Sequence, residues 1–232
     1  MKPFRFKKFE IKQSSEVFRV GTDGVLLGAL ASVTQSKNAL EVGVGTGLIS
    51  LMLAQRNSKL NIKGIDINPL AALLAKENFE ASSYSSRLSV EKIDFKELSK
   101  RGSYDLIVSN PPYFLPNHSS KDKIARQTLH LNFPELIEGV GRHLSSHGTF
   151  SVIIPSQFKD EFAEYAVRVG LFLSRMVSIR GTHSGPVVRV ILEFKFGKQD
   201  LINESLTIEE KPRVYSKEYL ELTKEFHLFN RD

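Results

Sequence analysis

The chain has 232 residues, 41% of them hydrophobic, and a net charge of +6 from 32 Lys and Arg against 26 Asp and Glu, which suits one large domain with an ordinary core. It contains no cysteine, which excludes a disulfide scaffold, thiolate zinc sites, iron–sulfur ligation and a cysteine nucleophile. Of the six histidines only His143 and His147 stand four apart, with no further histidine close in sequence, no apolar run approaches the ~18 residues of a membrane span, and Met1 to Lys8 lacks the apolar stretch of a secretory signal. The expectation is a soluble cytoplasmic protein with no metal and no membrane association. A pI near 9.4 fits a polyanionic partner, and the excess is concentrated in residues 1–20, where six basic residues face only Glu10 and Glu16.

In chain order, a helix is expected over residues 23–32, then a buried strand over 39–44 and a helix over 48–55. Residues 61–67 read as the next strand, followed by an Ala/Leu-rich helix from Pro69 to about Glu80; proline suits the first helical position because its missing N–H would be unpaired there anyway. Strands are expected over 88–95 and 104–109, a helix over 133–144, a strand over 149–154 and a helix over 156–169. Strands separated by helices imply parallel pairing with right-handed crossovers, hence a doubly wound α/β sheet. Residues 176–180 and 187–196 are extended runs joined by only Gly181 to Pro186, too short for a helical crossover, so they form an antiparallel hairpin. The expected fold is thus α/β, a Rossmann-like sheet of seven strands, mostly parallel with an antiparallel C-terminal hairpin strand, which is the shape of the class I methyltransferase fold. Residues 198–212 read as a polar connector and 216–226 as a terminal helix. One domain follows, with an N-terminal extension and helix (1–38), a core (39–196), and a connector and C-terminal helix (197–232).

Four places carry chemistry. Glu41-Val-Gly43-Val-Gly45-Thr-Gly47 stands where the first core strand turns into a helix, and glycines there allow positive φ and close approach of a ligand. A dinucleotide fingerprint would need glycine at position 48, which is Leu48. The acidic Glu41 sits badly against a pyrophosphate and suits a cationic ligand such as the amino group of a methionine moiety. Asp66 ends the second core strand, where an acid can accept both ribose hydroxyls of an adenosine ligand. Asp94, after the third, can meet an adenine amine while Phe95 or Ile67 covers the ring. Each acid alone fits a helix cap equally well, but all three elements fall at strand C-terminal ends, the rim where open α/β sheets bind ligands. Asn110-Pro111-Pro112-Tyr113 ends the fourth strand. The prolines hold the chain extended, so the Asn110 side-chain oxygen and the Pro111 carbonyl can accept the two hydrogens of a planar amine. That draws its nitrogen toward tetrahedral geometry, while Tyr113 stacks on a base flipped out of its nucleic-acid stack.

These motifs look like those of S-adenosylmethionine-dependent amino methyltransferases. Phe18 to Gly28 (FRVGTDGVLLG), with Leu40 to Gly43 and Tyr215 to Tyr219, more specifically resembles the bacterial tRNA1(Val) (adenine-37-N6)-methyltransferase family over most of the chain. The family's glycine motif often begins with Asp where this chain has Glu41, which keeps the charge. The resemblance implies S-adenosylmethionine as cofactor, N6 of adenosine 37 in a valine tRNA as target, and Thr22 and Asp23 near the cofactor's methionine end; their types suit a helix N-cap equally. A cofactor site of Thr22, Asp23, Glu41, Gly43, Gly45, Gly47, Asp66, Ile67, Asp94, Phe95 and Asn110 follows.

After Tyr113 comes a polar, basic stretch whose length suits a lid or binding loop. Lys121, Lys123 and Arg126 are placed to hold the RNA backbone there, while Tyr113 and Phe114 receive the base. A mobile surface loop is the alternative. The nearest functional rival is an amino methyltransferase of the same fold acting on guanine N2 or a protein glutamine, though a glutamine methyltransferase usually carries a separate N-terminal helical domain and only about 38 residues precede the first core strand here. A noncatalytic RNA-binding module is disfavoured by the intact Asn110-to-Tyr113 set, and a nicotinamide oxidoreductase by Leu48. The expected partner is tRNA and the expected state a monomer.

Overall fold

The computed structural model describes residues 1–99, 102–112 and 132–228. The N-terminal segment pairs β1 (Phe4–Arg5) with β2 (Glu10–Ile11) in a small hairpin and leads into α1 (Thr22–Leu30). Next come β3 (Asn38–Val42), α2 (Leu48–Arg56), β4 (Asn61–Asp66), α3 (Pro69–Glu80), β5 (Leu88–Lys92) and β6 (Tyr104–Ser109). The second half supplies α4 (Phe133–His143), β7 (Leu144–Pro155), α5 (Lys159–Arg168), β8 (Leu171–Thr182), β9 (Val187–Phe196), β10 (Ile202–Lys211), β11 (Val214–Tyr215) and α6 (Lys217–Thr223). All but the N-terminal hairpin join one sheet of order β11-β10-β8-β9-β7-β6-β3-β4-β5.

The expected α/β architecture is present. Strands β3 to β7 pair in parallel, and β9 runs antiparallel between β7 and β8. Two strands more than the expected seven extend it. Residues 198–212, read as a polar connector, instead contain β10, which pairs in parallel with β8, and the turn to β11. Only Leu206 and Thr207 of β10 are buried. A strand so near the sheet edge buries little, so its sequence lacks the alternation that marks a half-buried strand.

The sheet separates two apolar layers, as the period-two geometry of strands requires. Leu40, Ile107, Val152 and Phe194 pack with Leu136, Ile137 and Val140 of α4 and Phe162 of α5 on one face. Ala39, Leu106, Val108 and Ile191 meet Leu26 and Leu27 of α1, Ile49 and Leu53 of α2 and Tyr219 of α6 on the other. Phe6, Phe9 and Ile11 cover α1, α2 and α3 from outside. Where α1 crosses α2, a Cβ on Gly28 would lie 2.7 Å from Met52 Sδ, so glycine lets the two helices touch. The caps agree with the sequence at α3 (Asn68, then Pro69) and at α4, where Asn132 and Glu135 form a reciprocal capping box. At α1 the cap is Gly21 and Thr22 is already the first helical residue, so neither Thr22 nor Asp23 serves as the N-cap.

Candidate active site

Register fixes the centre of the site. Val42 of β3 lies opposite Ile65 of β4 and Ser109 of β6, so the next residues, Gly43, Asp66 and Asn110, leave three adjacent strands side by side. The Ser109 hydroxyl donates to the Val42 carbonyl at 2.9 Å and ties the strand ends together.

The glycine turn is shaped from beneath. Gly43, Gly45 and Gly47 have φ of 76°, 55° and 81°, the left-handed region that favours glycine. The Gly43 and Val44 N–H groups both donate to the Ile65 carbonyl at 2.9 Å, fastening the turn to β4. A Cβ on Gly43 or Gly45 would meet nothing within 4 Å, whereas one on Gly47 would lie 2.5 Å from the Phe79 ring. Gly47 is therefore a packing glycine, and Gly43 and Gly45 present bare backbone to open space. From behind, the Asn78 amide donates to the Thr46 carbonyl at 2.9 Å, and its oxygen accepts from the Lys12 N–H at 2.8 Å.

The two acids at the turn differ. Glu41 is 1% exposed; its Oε2 accepts from the N–H and hydroxyl of Ser50, at 2.9 and 2.5 Å, near the start of α2. Burial pushes its carboxyl up to about 8, against the opposing Ser50 bonds. Glu41 thus lies beneath the turn, in contact with α2. Asp66 is partly exposed. Its Oδ2 accepts from the Gly45 N–H at 3.0 Å and its Oδ1 from the Asn68 N–H at 2.9 Å, which leaves each oxygen further acceptor capacity. Burial raises this carboxyl, opposed by the N–H groups of Gly45, Asn68 and Ile67.

The other expected residues divide. Asp94 follows β5 and caps a short turn, accepting from the Lys96 N–H at 2.9 Å. Phe95 is 3% exposed and packs against Gly139 of α4, so it belongs to the core and not to the rim. Ile67, 37% exposed, is the apolar side chain at the surface here. Asn110 is half-buried, Pro111 buried and Pro112 exposed. Asp23 accepts from Arg189 of β9 at 2.9 Å. Tyr113, Lys121, Lys123 and Arg126 lie outside the described residues. Among the described residues no group of three or more His, Asp or Glu side chains is arranged to hold a metal ion.

Sequence reasoning missed Ser50, the partner of Glu41, and Ser109, which ties β3 to β6. It also missed a cavity of about 590 Å³ at the same sheet end, lined by Thr22, Asp23, Arg189, Glu209 and Tyr215 among others. Those residues come from α1, β9, β10 and β11, and only the tertiary fold unites them.

The chain matches the model of the methyltransferase small domain over residues 13–167. It is 49% identical to the tRNA1(Val) (adenine(37)-N6)-methyltransferase of Flavobacteriaceae bacterium (strain 3519-10), over 99% of this chain and 100% of the relative. The enzyme of that name from Phocaeicola vulgatus is 43% identical over 97% of each chain. In fold, the chain resembles a predicted O-methyltransferase from Agrobacterium tumefaciens, with a TM-score of 0.67 over 88% of this chain and 96% of that one at 17% identity. With near-complete coverage on both sides and the glycine turn, Asp66 and Asn110 brought to one rim, the chain belongs to the tRNA1(Val) (adenine(37)-N6)-methyltransferase family.

Proposed function

We propose that the protein transfers a methyl group from S-adenosylmethionine to N6 of adenosine 37 in the anticodon loop of a valine tRNA, acting as a monomeric, single-domain cytoplasmic enzyme without a metal. The observation that carries this reading is the open backbone ledge at Gly43 and Gly45, flanked on adjacent strands by Asp66 and Asn110. No helix among the described residues is long and apolar enough to cross a membrane.

The donor set suits the cofactor. Asp66 has acceptor capacity left for the ribose hydroxyls, the bare glycines admit close approach, Ile67 covers the adenine, and Asp94 can accept from its amine. Thr22 and Asp23 stand toward the methionine end. Glu41 holds the turn to α2 through Ser50, and a ligand ammonium above the turn favours its charged form. S-adenosylmethionine supplies an electrophilic methyl group on a sulfonium.

The chain's own residues act on the amine. The Asn110 side-chain oxygen and the Pro111 carbonyl accept the two N6 hydrogens, directing the nitrogen lone pair at the methyl group. The two prolines hold these acceptors rigid, so the contact strengthens as the nitrogen becomes tetrahedral and favours the transition state over the ground state. Tyr113 stacks on the flipped base, and Lys121, Lys123 and Arg126 hold the RNA backbone.

Nucleoside mass spectrometry of bulk tRNA incubated with the protein and labelled methyl donor tests the reading. N6-methyladenosine is the expected product; label in guanosine, or in protein glutamine, would replace it with a rival. Asn110→Ala is expected to lower single-turnover methylation at saturating cofactor by ~10²-fold, a larger loss than the change in cofactor affinity measured by calorimetry. Near-wild-type turnover would reduce Asn-Pro-Pro-Tyr to a strand terminator.

A further inference from the structure

Phe18 is the most exposed large apolar side chain among the described residues, at 76%. The rest of the N-terminal segment does not share this exposure. The Phe4, Phe6 and Phe9 rings pack in series, with centroids 4.9 and 4.7 Å apart. Val17 is buried, and Val20 packs against the cluster of Phe9, Ile11 and Met52. Phe18 and Arg19 between them are both exposed, and among the described residues neither side chain has a hydrogen bond, ion pair or ring partner.

The loop that carries them is held in place. Residues 12–21 lead from β2 to α1, and both ends are fastened at the glycine turn. At one end the Lys12 N–H donates to Asn78, whose amide donates to the Lys12 and Thr46 carbonyls at 3.2 and 2.9 Å. At the other, Gly24 of α1 approaches the first residue of α2 so closely that an added Cβ would lie 3.1 Å from Leu48 Cδ2. Across the base of the loop the Gln13 side-chain oxygen accepts from the Val20 N–H at 3.2 Å. A ring on so constrained a loop gives up little conformational freedom when a ligand meets it. Phe18 and Arg19 thus stand beside the ledge, outside the set of residues assigned to the cofactor.

The chemistry of this tip selects its occupant. One ring preceded by the polar Ser14, Ser15 and Glu16 is too small a patch for a protein partner, which takes roughly 800 Å² from each side. A single aromatic face suffices for one unpaired base, because every base has a π-face. The guanidinium in the next residue can meet a phosphate of the same strand. Charge agrees, since six basic residues against two acidic ones fall within residues 1–20. Arg5 and Lys12 are paired with carboxylates, whereas Arg19 has none to displace among the described residues.

We propose that this tip is an RNA contact: the Phe18 ring stacks on an unpaired anticodon-loop base other than the target, and Arg19 pairs with a phosphate beside it. The inference rests on the proposed tRNA methylation and adds a determinant of RNA capture. Equilibrium binding of a labelled, unmodified tRNA1(Val) transcript is measured for the wild type, Phe18→Ala, Phe18→Leu, Phe18→Tyr and Arg19→Gln, alongside cofactor affinity by calorimetry. Truncation of so exposed a ring leaves the core untouched. Phe18→Ala is expected to raise the Kd for RNA about tenfold, the loss of one base–aromatic stack, with cofactor affinity unchanged. Phe18→Leu keeps an apolar side chain without the ring and should be as weak, while Phe18→Tyr should restore the wild-type Kd. Arg19→Gln should flatten the salt dependence by a slope of about 0.7, one single-strand phosphate contact, and Phe18→Leu should leave that slope unchanged. Transcripts abasic at single anticodon-loop positions identify the base. One of them should cost the wild type about tenfold and cost Phe18→Ala nothing more. A folded Phe18→Ala protein with wild-type RNA affinity overturns the contact alone. So does one whose cofactor affinity falls as far as its RNA affinity, which would give the ring to the cofactor. A wild-type protein that neither binds nor methylates the transcript overturns both the contact and the activity it rests on.

Discussion

Glu41 and Asp66 flank one glycine turn, yet only one of them is positioned to meet a ligand directly. Asp66 accepts from the Gly45 and Asn68 N–H groups, one on each oxygen, with the Ile67 N–H also nearby, and remains partly exposed; Glu41 is sealed beneath, its carboxyl pushed up to about 8 by burial. In the unfolded chain the same carboxyl titrates near the ordinary glutamate value of 4.5. Between these values the folded state binds more protons than the unfolded state, so this group's contribution to stability is complete below about pH 4.5 and is lost as pH rises toward 8. Glu41→Gln keeps an oxygen acceptor for Ser50 and removes the titration. In the cofactor-free protein it should match the wild type near pH 5 and become the more stable of the two by pH 8. The slopes should differ by up to ~1.4 kcal/mol per pH unit, the linkage limit for one proton. Urea unfolding from pH 5 to 8 measures this, and parallel slopes would mean that Glu41 is charged throughout. Asp66 is displaced in the same direction and its charge also raises the Glu41 carboxyl, so the difference between the two proteins reports Glu41 together with its coupling to Asp66.

At the scale of the element, the glycine turn divides into a ledge and a packing joint. Gly43→Ala and Gly47→Ala both force alanine into positive φ, at a cost of about 1 kcal/mol or more. The added Cβ meets open space at Gly43 and the Phe79 ring at Gly47. Gly47→Ala should therefore lose about 1–3 kcal/mol further through overpacking, while Gly43→Ala should lose cofactor affinity out of proportion to its stability. Thermal unfolding and calorimetry on both variants test the division, and equal losses in both measurements would erase it. The presence of this turn was legible because three glycines in five residues after a buried strand admit few other structures. The division within it was not, because Phe79 is more than thirty residues away. The same physics explains the other differences. Asp94 and Phe95 are adjacent in sequence, but the close approach of Gly139 drew Phe95 into the core. Strand β10 escaped notice because an outer strand with one well-buried pair has no period to read. The parallel order, the hairpin of β8 and β9 and the position of Asn110 were readable, since each follows from connection length or from local sequence.

For the whole molecule, the net charge of +6 matters through where its basic groups can reach RNA. In the N-terminal segment, Arg5 pairs with Glu10 at 3.1 Å, Lys12 pairs with Glu77 at 3.0 Å, and Lys7 donates to the Lys224 carbonyl. The first two pairs are solvent-exposed and weak, but phosphate binding there must compete with a carboxylate already in place. The stretch after Tyr113 instead carries Lys121, Lys123 and Arg126 within six residues, next in sequence to the residues assigned to the target base. Phosphate contacts release counterions, so tRNA affinity should fall linearly with salt on a log–log plot, with a slope near 0.7 for each contact to a single strand. Replacing Lys121, Lys123 and Arg126 together with glutamine should therefore flatten the slope by about two, while cofactor affinity is unchanged. Replacing Arg5, Lys7 and Lys12 together should flatten it by less. Equilibrium binding of labelled tRNA across a salt series gives both slopes. If the first variant kept the wild-type slope and the second lost it, the electrostatic footprint would belong to the N-terminal hairpin, and the RNA would approach the rim over α1 and α3.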